Sequence, residues 1–124
     1  MTTRNSEPTP LSDEILDSLR ELDPTGHFLR DMVQVFHQDM ARNLLEAEQA
    51  CRENDADSFH RACHAIKNAA DCIGAQCLRQ YAHALMEQGD AASLQRQLHR
   101  LRQLYQEATA ALTHLPEHPP TSSR

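Results

Sequence analysis

Apolar residues recur at steps of three and four along most of the chain, the spacing of helix faces buried in a core. A first helix is predicted from Ser12. Asp13 and Glu14 sit in its first turn, Ile15, Leu16, Leu19 and Leu22 are its apolar residues, and it stops before Asp23-Pro24-Thr25-Gly26. Asp23 followed by Pro24 reads as the start of a second helix, striped by Leu29, Met32, Val33, Phe36, Met40, Leu44, Ala47 and Cys51. The segment Glu53-Asn54-Asp55-Ala56-Asp57-Ser58 ends that helix and opens a third, which runs to a break at Gly74. A fourth helix covers Ala75 to Gln88 around Leu78, Ala82 and Leu85, with Gly89-Asp90 as the following turn. The last helix carries Leu94, Leu98, Leu101, Tyr105, Ala108 and Leu112, alternating four and three as a bundle seam does. Three long striped helices and a shorter one, joined by short turns, predict an all-α, antiparallel up-and-down four-helix bundle with the short N-terminal helix capping one end.

The third helix contains the stretch HRACHAIKNAADCIGAQCL, residues 60–78 with the turn that follows it. On a wheel of about 100° per residue with Phe59 at zero, Ala62, Cys63, Ile66, Ala70 and Ile73 fall within about 60° and form a core stripe. His60, His64, Lys67, Asn68 and Asp71 lie between about 80° and 180°. His64 therefore faces solvent in the middle of a polar strip on a helix backed by the core. A neutral imidazole there has a ring nitrogen free for nucleophilic attack, and Lys67, one turn on, is placed to offset charge on an incoming phosphoryl group.

Composition narrows the alternatives. Lys and Arg number 12 against 18 Asp and Glu, a net charge of −6, and the basic residues form no block, which argues against nucleic-acid binding. No segment approaches the ~20 apolar residues of a membrane span, and the first ten residues lack the apolar core of a signal peptide. Cys51, Cys63, Cys72 and Cys77 show no paired spacing and read as reduced thiols of a cytoplasmic protein. Residues 1–9 and 115–124 are polar and Pro-bearing and read as tails, leaving 10–114 as the one domain. The phenylalanines at 28, 36 and 59 and the methionines at 32, 40 and 86 are expected to fill the core. His60 and His64, four apart, have the spacing of two zinc ligands, but the glutamate of H-E-x-x-H is absent and no third ligand is fixed by spacing, so no metal site is expected.

The motif from His64 through Ile66, Lys67, Ala69, Ala70, Ile73, Gly74, Ala75 and Leu78 resembles the active helix of histidine-containing phosphotransfer (HPt) domains. The resemblance is specific over about residues 60–88. It implies a four-helix bundle that relays phosphate between receiver-domain aspartates, with His64 as phosphoacceptor, Lys67 assisting by charge, and His60, Asn68 and Asp71 on the docking surface. Apolar residues of the first helix and the exposed edge of the second are expected to flank that surface. The resemblance implies no cofactor in the domain itself, the metal ion being expected on the receiver. The chain looks most like the C-terminal module of hybrid sensor kinases, including those that sense diffusible signal factor. Some of those modules also hold a crotonase-fold signal synthase, which gives a non-catalytic docking module as the alternative function. A monomeric domain, on the cytoplasmic side of a membrane-bound kinase or free, is expected. Two positions depart from the family's habit. Asn68 stands where glycine is usual, four residues from His64 on the same face, where an asparagine either crowds the docking receiver or hydrogen-bonds the imidazole and so bears on the transfer rate, and Met86 stands where Glu or Gln often orients the ring.

Overall fold

The computed structural model describes residues 9–88 and 93–114, without the side chain of Gln88. The tails, Thr9 apart, and the Gly89-Asp90 turn lie outside the described residues. Five helices are described: α1 (Asp13–Leu22), α2 (His27–Glu53), α3 (Ala56–Ile73), α4 (Gln76–Gln88) and α5 (Leu94–Thr113).

Local chemistry sets most boundaries. The Ser12 hydroxyl accepts from the Ile15 amide at 3.3 Å, capping α1 over its acidic first turn. The second helix begins at His27 rather than at Pro24, because Asp23 engages its carboxylate locally. It accepts from the Thr25 amide at 3.0 Å, the Thr25 hydroxyl at 2.6 Å and the Phe28 amide at 3.1 Å. Such an Asx turn competes with helix, and Gly26, at φ 85°, completes it before α2 starts. At the other end Asn54 adopts φ 54° and Asp55 caps α3, accepting from the Ser58 amide at 3.1 Å and its hydroxyl at 2.7 Å. These Ser58 hydrogen bonds hold the Asp55 carboxyl below the usual carboxylate range. The cap's pH-dependent contribution to stability is complete above the unfolded value of about 4 and is lost as pH falls through the lower folded value.

The four long helices pack in the cyclic order α2, α3, α4, α5, each mainly on its two neighbours, with α1 resting on α2. Their direction alternates, as α2 and α5 show: His37, early in α2, bonds Tyr105 at 2.6 Å, whereas Glu48, later in α2, pairs with Arg102, earlier in α5, at 3.3 Å. Phe59, Ala62, Cys63, Ile66, Ala70 and Ile73 of α3 are buried as the wheel predicts. Leu94, Leu98, Leu101, Ala108 and Leu112 of α5 join the same core, with Leu104 and Gln97 also buried and Tyr105 half-buried. Of the expected core fillers, Phe36, Phe59 and Met40 are buried and Met32 and Met86 pack on the core's edge. Phe28 is a correction. It stands 36 % exposed in the first turn of α2, about 80–100° round the helix from the face that buries Leu29 and Phe36.

The α3–α4 corner holds the N-terminal segment. Gly74, at φ 75°, ends α3 and lends its carbonyl to the Ser12 amide at 2.7 Å, while Gln76 Nε2 donates to the carbonyl and hydroxyl of Thr9 at 2.8 and 3.0 Å. Thr9, expected in the tail, is thus fixed to α4. A Cβ on Gly74 would meet Ile15 Cβ and Cγ2 at 3.1 Å in a conformation that disfavours L side chains. Gly74→Ala is expected to lower stability by about 1–2 kcal/mol, measured by urea unfolding, with the helix content of α2–α5 retained.

Candidate functional site

His64 lies midway along α3, exposed, with the buried Cys63 and Ile66 beneath it. Its helix is anchored from behind by a stripe of 0–2 % exposed side chains, so the imidazole stands on a rigid base. On the α3 wheel Asn68 is about 40° to one side and Lys67 about 60° to the other. Asn68 Nδ2 approaches His64 Nε2 at 3.4 Å, and both side chains are exposed. Lys67, three residues after His64, is half-buried, and among the described residues it forms no ion pair.

The other strip residues are placed differently. Asp71 is exposed and pairs with Arg79 of α4 at 3.8 Å, so α4 packs along this flank of α3. His60, expected on the wet strip, is half-buried on that same flank, its Nε2 closed off and without a hydrogen-bond partner. A position about 100° from Phe59 lies at the rim of the core stripe, where the neighbouring helix decides exposure, and periodicity alone does not. Glu87, next to Met86, pairs with His83 at 3.4 Å, an i,i+4 contact on α4, and the described side-chain hydrogen bond to the His64 ring is the one from Asn68. Met86 itself packs against the core.

Sequence reasoning missed the Asp71–Arg79 pair and the 2.6 Å bond between His37 Nδ1 and the Tyr105 hydroxyl, which ties α2 to α5. Spacing carries no signal for either, since the partners sit on different helices. Phe36, His37 and Tyr105 form a ring cluster with centroids 5.6–5.7 Å apart, a structural use for a histidine given no role above.

The cysteines supply no rival nucleophile. Burial pushes the Cys63 thiol up to about 12, and burial also raises Cys51 and Cys77. Only Cys72 is exposed. Alkylation of the native chain at pH 8 is therefore expected to label Cys72 first, Cys51 and Cys77 more slowly, and Cys63 only on unfolding, because the thiolate is the reacting species. Peptide mapping of a time course checks the order.

Among the described residues no group of three or more His, Cys, Asp or Glu is placed to hold a metal ion, and no helix is long and apolar enough to cross a membrane. An exposed histidine with a neighbouring lysine on a core-backed helix of a four-helix bundle is the arrangement a phosphohistidine carrier needs. A family model described as Hpt domain matches residues 31–111, well over half the chain. The chain belongs to the HPt domain family. HPt domains act in phosphotransfer within two-component signalling, where they interact with receiver domains, and that is this protein's class of function. The matched region spans α3, α4 and nearly all of α2 and α5, and thus the whole of the site. No curated protein and no solved structure matches the chain.

Proposed function

We propose that His64 is the phosphoacceptor of this HPt domain, taking a phosphoryl group from a receiver aspartate and passing it to a second receiver. The observation that carries this reading is the placement of His64: exposed, mid-helix, rigidly backed, with Lys67 one turn further along α3. The ring nitrogen attacks phosphorus while the carboxylate of the receiver leaves, and Lys67 offsets charge on the transferring oxygens. The metal ion and most of the electrostatic stabilisation come from the receiver, so the domain needs no catalytic apparatus beyond an accessible nucleophile.

Asn68 and Asp71 border the docking surface, with His60 contributing only its outward edge. Exposed apolar side chains on the first two helices support protein docking: Phe28 and Val35 share one stripe of α2, a heptad apart, and are 36 % and 49 % exposed, and Leu22 at the end of α1 is 72 % exposed. The receivers are proposed to belong to a hybrid sensor kinase and its response regulator, with the domain on the cytoplasmic side and monomeric; the resemblance of residues 60–88 to the C-terminal modules of such kinases supports this. The diffusible-signal context and a signal-synthase partner rest on the same resemblance.

The test is transfer of radiolabel from a phosphorylated receiver to the chain. Acid-labile, alkali-stable label on the chain supports the relay. Binding of receivers or of a crotonase-fold synthase with no label, across several receivers, would instead support a docking module.

A further inference from the structure

We propose that Asn68 is a positioning residue for the phosphoacceptor, fixing the tautomer of His64 before transfer and holding the phosphoryl group after it. This rests on His64 being the acceptor, and it assigns a task to the residue where this chain departs from the glycine usual in the family.

Asn68 Nδ2 lies 3.4 Å from His64 Nε2, with the two side chains one helical turn apart on the same exposed face. An amide NH₂ donates, so Nε2 must present its lone pair and the single ring proton of the neutral imidazole sits on Nδ1. No other described side chain hydrogen-bonds the ring: Glu87 pairs with His83, and Asp71 with Arg79. Asn68 thus selects Nε2 as the nucleophilic atom, its lone pair engaged by the amide until a receiver docks. At 3.4 Å the bond is long and open to water, weak enough to yield when a receiver docks.

The transfer then balances simply. The Nε2 lone pair forms the N–P bond as the P–O bond to the receiver's aspartate breaks, the carboxylate leaves with the electron pair, and Nδ1 keeps its proton. Freed from Nε2, the Asn68 amide donates to a phosphoryl oxygen on one side while the Lys67 ammonium faces it from the other. Glycine at this position would allow the close approach but offer neither hydrogen bond.

Nitrogen-15 NMR of the full chain labelled at histidine tests the first half, and it does so whether or not transfer succeeds. The expected result is the Nδ1–H tautomer at His64 in the wild type, a shift to Nε2–H in Asn68→Asp, whose carboxylate accepts, and a mixture in Asn68→Ala. The same tautomer in wild type and Asn68→Ala would overturn the proposal. The second half is read from the phosphorylated chains: the phosphohistidine of Asn68→Ala is expected to hydrolyse about three- to tenfold faster than wild type, equivalent to about 0.7–1.4 kcal/mol. Equal lifetimes would overturn it. Label on neither wild type nor variants, with the tautomer shift intact, would refute His64 as acceptor while leaving the contact established. Asn68 is exposed, and unchanged melting temperatures would separate these effects from misfolding.

Discussion

His64→Gln is expected to reduce phosphate acceptance from a phosphorylated receiver to the level of a control without the domain, while its unfolding midpoint stays at the wild-type value. The side chain is exposed and its one described polar contact is the long bond to Asn68, so the fold loses almost nothing. Exposed substitutions of this kind change stability by less than about 0.5 kcal/mol. Chemistry loses its nucleophile: glutamine has no nitrogen lone pair comparable to that of a neutral imidazole. Receiver binding, read by titration calorimetry, is expected to persist, because the apolar and charged groups around the strip are untouched. A variant that still took up label at the wild-type rate would move the phosphorylation site to another of the eight histidines.

Phe59→Ala is expected to be the most damaging single truncation in α3, costing about 3–5 kcal/mol. Phe59 is 0 % exposed and is the largest fully buried side chain described, at the N-terminal end of the stripe that backs His64. Its loss leaves a cavity that Ala62 and Cys63, the small neighbours on the same face, are too short to fill. For a domain with a total stability of about 5–15 kcal/mol that is a large fraction, and it corresponds to a fall in melting temperature of about 12 °C or more. Urea unfolding followed by circular dichroism checks it. Phosphate acceptance should fall in proportion to the unfolded population, which separates this variant from His64→Gln, where the fold is intact and acceptance is gone.

The bundle was legible because its determinants are local. The stripe from Phe59 to Ile73 needs only periodicity to be read, and Ser12, Asn54-Asp55 and Gly74 mark helix ends through their own side chains or backbone freedom. The start of α2 was misread because two local signals compete at Asp23-Pro24. The carboxylate closes a turn with Thr25 and Phe28 that displaces the helix start to His27. His64, Lys67 and Asn68 were legible as neighbours because they share one helix, and the Asn68 contact follows from i,i+4 spacing. The half-burial of His60, the Asp71–Arg79 pair and the His37–Tyr105 bond each depend on a second helix, so no pattern within one segment announces them. The same holds for Asn43 of α2 and Gln97 of α5, polar residues that are buried.

The central claim is that one histidine among eight carries the phosphate. Its most direct test is tandem mass spectrometry, under conditions that preserve phosphohistidine, of the wild-type chain after incubation with a phosphorylated receiver. A single phosphorylated site at His64 is the expected result. Phosphate on His60, His83 or any other side chain, with His64 unmodified, would contradict it.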